Sequence, residues 1–103
     1  MKILTIEEQQ ALLERTINAF GKEAQIRQFM EEAAELAQVA NKDFNAGDWK
    51  ATAEEYADLL IMIEQFRMIA GVSCKEWDAE VKRALQHKLN RLSERLKIWG
   101  WFR

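Results

Sequence analysis

Two acidic stretches, Glu31-Glu32-Ala33-Ala34-Glu35 and Glu54-Glu55-Tyr56-Ala57-Asp58, constrain this chain more than any other feature. Side chains three or four residues apart share one face of a helix. Glu32 and Glu35 can therefore point the same way, with Glu31 at the four-residue spacing to Glu35. Glu55 and Asp58 do the same, with Glu54 four residues before Asp58. The run Tyr56 to Ile63 reads Tyr-Ala-Asp-Leu-Leu-Ile-Met-Ile, apolar almost all the way round. That pattern predicts the most buried helix of the molecule, with Asp58 as the only carboxylate in the run.

The surrounding chain is built for helix. It has no proline and only four glycines, and it is rich in Ala, Leu, Glu, Gln, Lys and Arg. The expectation is one all-α domain over residues 1–103, a four-helix, bundle-like fold with antiparallel helices, completed by oligomerisation. The helices are expected over about 6–18, 22–41, 50–69 and 74–97. Thr5 with Glu8 forms a capping box at the first start. Leu12, Leu13, Thr16, Ile17 and Phe20 then give that helix one apolar face before Gly21. In the second helix Ile26, Phe29, Met30, Ala33, Ala34, Leu36, Ala37 and Ala40 recur with helical spacing, and residues 41 to 47 read as a loop. Asp48 and Thr52 are alternative caps for the third helix, Thr52 with a capping box to Glu55, and Gly71 ends it. Ser73 with Glu76 opens the fourth, whose apolar stripe is Trp77, Val81, Ala84, Leu85, Leu89, Leu92 and Leu96.

The formal net charge of −2 hides a polarity. Up to Cys74 there are 13 acidic and 7 basic residues; from Lys75 onward there are 8 basic and 4 acidic. A basic last helix can serve nucleic acid or an anionic ligand. The single cysteine, Cys74, cannot form an internal disulfide, which fits a reducing setting. Glu7 and Glu8 follow Met1 to Thr5 too soon for a signal-peptide core, and no apolar run approaches a membrane span. A cytoplasmic protein with no membrane association is expected.

Carboxylates on two adjacent antiparallel helices need a counter-charge, because buried unpaired ions cost several kcal/mol each by general magnitudes. An all-oxygen donor set suits Mg²⁺, with Mn²⁺ as the alternative. A di-iron bundle would want Glu-x-x-His on two helices, and the only histidine, His87, is not placed that way. Magnesium that keeps open positions usually meets phosphate oxygens. Lys88, Arg91 and Arg95 lie at three- and four-residue steps on the last helix and can hold a polyphosphate.

Glu-Glu-x-x-Glu followed about twenty residues later by Glu-x-x-Asp resembles the signature of the all-α nucleoside triphosphate pyrophosphohydrolases, the MazG-like superfamily. The resemblance runs from about Phe20 to Leu96. Gln25 and Gln28 stand where the family has a glutamine-containing lead-in, and Lys88-Leu89-Asn90-Arg91 resembles its Lys-Leu-x-Arg stretch. After that stretch the chain reads Ser93-Glu94-Arg95-Leu96 and lacks the family's His-Pro-His element. The resemblance implies Mg²⁺-dependent hydrolysis of a nucleoside triphosphate to the monophosphate and pyrophosphate. It implies Glu32, Glu35, Glu55 and Asp58 as metal ligands, with Glu31 and Glu54 as auxiliary, catalytic carboxylates. Lys88, Arg91 and Gln25 become substrate-binding residues, and a homodimer or homotetramer is implied.

Each of these residues also has a plainer reading. Gln25 and Gln28 read as surface residues, His87 as solvated, and Arg95 and Lys97 as complements of the helix dipole. Cys74 reads as a neutral position. Tyr56, Trp49 and Trp77 read as core or interface anchors. Trp99, Trp101 and Phe102 form an apolar tail that a partner subunit would cover. The alternative function is a non-enzymatic helical interaction module, using the basic helix and the aromatic tail to bind protein or nucleic acid. A buried Asp58 argues against that module, which has no need of it, and nucleic acid is the less favoured partner.

Overall fold

A computed structural model describes residues 1–98, so the aromatic tail from Trp99 to Arg103 lies outside the described residues. The described chain is all-α: α1 (Ile6–Phe20), α2 (Lys22–Ala46), α3 (Lys50–Ala70) and α4 (Cys74–Ile98), with no strand among the described residues. It divides into two compact units, Met1–Gly71 and Val72–Arg103.

In the first unit, α1 opens with the capping box expected from its sequence. Thr5 Oγ1 accepts from the Glu8 backbone N–H, and Glu8 Oε1 accepts from the Thr5 N–H, each at 3.1 Å. Gly21 ends α1 and starts α2. Helix α2 then overruns the loop expected at residues 41 to 47 and continues to Ala46. The reason is local: nothing between Asn41 and Ala46 breaks a helix. Gly47 stops it in the left-handed region at φ 68°, sending its N–H back to the Asp43 and Phe44 carbonyls.

The N-terminus of α3 also departs from expectation. Trp49 is the cap residue, and no Thr52–Glu55 capping box forms. Asp48 Oδ1 accepts from the Trp49 and Lys50 N–H groups at 2.7 and 3.2 Å. Thr52 is held from the neighbouring helix: Asp43 Oδ2 accepts from both its N–H and its Oγ1, each at 2.7 Å. The first turn of any helix has N–H groups with no partner inside the helix, and here carboxylates from before and across the turn supply partners.

α2 and α3 form the main packed pair, with α1 against both. Two contacts fix the direction. Asp43 meets Thr52, and the rings of Phe29 and Phe66 meet edge-to-face with centroids 6.1 Å apart. Moving back along α2 corresponds to moving forward along α3, so the pair is antiparallel. The apolar core is small: among the described residues Ile17 and Met62 are the buried hydrophobic ones, joined by Gln25, Gln65 and Arg67.

The burial expected of α3 is only partly present. It contributes three of the five residues buried among those described, but Tyr56, Leu60 and Ile61 are about half exposed. Asp58 is exposed as well, not buried. Within the first unit, α1 and α2 cover α3 only in part. The second unit is α4 with its lead-in. Ser73 Oγ accepts from the Glu76 N–H at 3.1 Å. Val81, Leu85, Leu89 and Leu92 on α4 are each about half exposed. No helix among the described residues is long and apolar enough to cross a membrane.

Candidate metal centre

The antiparallel pairing brings one turn of α3 against the acidic turn of α2. Glu32, Glu35 and Glu55 each offer a carboxylate oxygen, and these oxygens all lie within 4.8 Å of one another. Glu32 and Glu55 are half-buried and Glu35 is exposed, so the cluster opens to solvent on the Glu35 side.

Glu32 is the most constrained of the three. Gln28, one turn earlier, donates from Nε2 to Glu32 Oε1 at 2.8 Å. The other oxygen, Oε2, is shielded from solvent and accepts no hydrogen bond, and the same holds for Glu55 Oε2. Shielded carboxylate oxygens without a partner are costly in a folded protein. No Lys or Arg is ion-paired with this cluster among the described residues. Loss of surrounding water pushes the Glu55 carboxyl above its ordinary range. The negative charges of Glu35, Asp58 and Glu32 raise it further.

The donor set fits a hard divalent cation on two counts. Its atoms are all carboxylate oxygens, the class that magnesium and manganese take. Two of the three carboxylates, Glu32 and Glu55, also keep one shielded oxygen without a partner. Asp58 stands outside the three-residue group but close enough for its charge to act on Glu55. Glu31 and Glu54 are exposed and also lie outside the group.

Of the two glutamines read as surface residues, Gln28 is exposed and Gln25 is not. Gln25 is buried, 8% exposed, in the unit's core. Gln28 is on the surface but is committed to Glu32. Asp43, Gln65 and Arg67 were not legible as important. Asp43 sits in a stretch that reads as a loop, and its partner Thr52 is nine residues away. Gln65 and Arg67 lie past the apolar run; Gln65, three residues after Met62, shares its helix face by spacing, and Arg67, five after it, does not. Arg67 pairs with Glu64.

On α4, Lys88, Arg91 and Arg95 are exposed and make no ion pair among the described residues. Arg83 and Lys97, by contrast, pair with Glu80 and Glu94. His87, Asn90, Arg91, Glu94 and Arg95 line an open surface depression of about 320 Å³. Compared with protein-family models, curated proteins and solved structures, the chain matches none.

Proposed function

We propose that the protein is a Mg²⁺-dependent nucleoside triphosphate pyrophosphohydrolase, cleaving a ribo- or deoxyribonucleoside triphosphate to the monophosphate and pyrophosphate. The observation that supports this reading best is the convergence of Glu32, Glu35 and Glu55 from two helices, with two shielded oxygens lacking any partner.

In this proposal Glu32, Glu35 and Glu55 hold the cation, and Asp58 adds charge beside Glu55. The bound ion supplies a Lewis acid at phosphate oxygens and a water of lowered pKa. Gln28 fixes the Glu32 carboxylate by occupying one of its oxygens, which leaves the other for the site. Glu31 and Glu54 are the exposed carboxylates available to take a proton from the attacking water. Lys88 and Arg91 keep the phosphate-binding part that the family resemblance gives them, offsetting charge on the triphosphate. The deciding experiment is a pyrophosphate-release screen over ribo- and deoxyribonucleoside triphosphates, with and without Mg²⁺. Metal-dependent release from at least one nucleotide is expected; no release from any of them sinks the proposal.

The protein is also proposed to act as a homodimer or homotetramer. Among the described residues the buried apolar ones are Ile17 and Met62, a small core, while Leu12, Tyr56, Leu60 and Ile61 remain available for burial between copies.

One observation favours a second reading. The half-exposed stripe Val81, Leu85, Leu89 and Leu92 on a basic helix suits an interaction module that binds a protein partner without chemistry. The two readings separate on one measurement. A ligand that binds only the folded state must raise the melting temperature, so Mg²⁺ stabilises the enzyme and leaves the module unchanged.

A further inference from the structure

Beyond the carboxylates themselves, the hairpin contains a device that sets how they meet. Asp43 lies eleven residues after Glu32 on α2. At 3.6 residues per turn that is close to three full turns, so both belong to one face of the helix. On α3, Thr52 lies three residues before Glu55, again on one face. The face of α2 that carries Glu32 is thus tied, by Asp43 Oδ2 to the Thr52 N–H and Oγ1, to the face of α3 that carries Glu55. Both bonds are 2.7 Å, and the pair is partly buried. No side chain on the cap residue Trp49 does this work from within α3.

We infer that Asp43, acting through Thr52, is a positioning residue for the metal centre: it sets the rotation and slide of α3 against α2 that bring Glu55 to Glu32 and Glu35. The inference rests on the metal reading given above. It follows from the geometry of a helix pair. A two-helix hairpin can turn about its own axes as long as its apolar contacts slip together. A double hydrogen bond to one backbone N–H and one hydroxyl does not slip. The contact is made one turn from Glu55, so little rotation is left for that carboxylate. Asp43 lies outside the donor group and would act as a partner that orients a ligand, not as a ligand.

The test compares Mn²⁺ affinity, by electron paramagnetic resonance, with melting temperature. The proteins are the full chain and its variants Asp43→Asn, Asp43→Ala, Thr52→Val and Thr52→Ser. Ile17→Ala, in α1, serves as a control that destabilises the same unit from outside the hairpin. Loss of an orienting partner typically weakens metal binding about 10- to 100-fold. That loss is expected for Asp43→Ala and Thr52→Val, with Thr52→Ser restoring wild-type affinity because it keeps both donors. Ile17→Ala is expected to lower the melting temperature with Mn²⁺ affinity unchanged. Wild-type affinity in Asp43→Ala and Thr52→Val overturns the inference and leaves the metal reading standing. So does an affinity loss in Ile17→Ala equal to theirs, since the effect would then be general loosening. A wild-type chain that binds no Mn²⁺ overturns the metal reading, and the positioning role with it.

Discussion

Glu55 on α3 and Glu35 on α2 bring carboxylate oxygens within 4.8 Å of each other, close enough for the Glu35 charge to oppose ionisation of Glu55. Desolvation raises the Glu55 carboxyl first, and the charges of Glu35, Asp58 and Glu32 raise it further. Without a cation, nothing in the cluster offsets that crowding of negative charge around Glu55.

That crowding gives a pH dependence with a definite sign. The folded Glu55 carboxyl lies above its ordinary value of 4.5, so the folded state holds the proton more tightly than the unfolded chain. The stability this lends is complete below that ordinary value and is lost as pH rises through the raised one. In Glu55→Gln that loss should shrink, and the cation-free melting temperature at neutral pH should be higher than in the wild type. Thermal melts across pH 4 to 8 on the order of one unit apart, in chelator, check both statements.

Cation binding should rank the carboxylates by their place in the cluster. Glu32→Gln and Glu55→Gln are expected to weaken Mn²⁺ binding at least as much as loss of an orienting partner does, by about tenfold or more, and to abolish pyrophosphate release. Asp58→Asn, whose side chain is exposed and outside the three-residue group, should weaken it less. Titration calorimetry of the three variants gives the order directly.

Gly47 holds the turn that lets α3 double back on α2. At φ 68° a side chain is strained even though the space around it is open. Gly47→Ala should cost about 1–2 kcal/mol, which in a domain of this size is a fall in melting temperature of roughly 4–8 °C per kcal/mol.

Core burial should decide the size of truncation effects. Met62 is 7% exposed, and Met62→Ala should cost about 2–5 kcal/mol. Leu85, 56% exposed on α4, has far less to lose, and Leu85→Ala should fall within about 1 kcal/mol of wild type. Denaturant titrations of both variants test the contrast.

Self-association, if it runs through the half-exposed side of α3, should be sensitive to charge there. Leu60→Asp is expected to shift sedimentation velocity toward the monomer, with the α1 control Thr16→Ser unchanged. An oligomer that survives Leu60→Asp intact would move the interface elsewhere.

What the sequence determined by itself was local. The absence of proline, the periodic leucines and alanines, and the Thr5–Glu8 cap were enough for four helices, because helix formation depends on neighbours within about one turn. The three-residue spacing was also enough to put Glu32 with Glu35 on one face and Glu55 with Asp58 on another. The extension of α2 to Ala46 was missed because polar residues without a breaker look the same in a loop as at a helix end. Only the tertiary structure decided which carboxylates meet. Spacing fixes a side chain's angle about its own helix axis, while the rotation of that helix against its neighbour is set by packing and by contacts such as Asp43 with Thr52. That rotation left Asp58 on the surface, buried Gln25, gave Gln28 to Glu32, and brought Glu55 to Glu32 and Glu35.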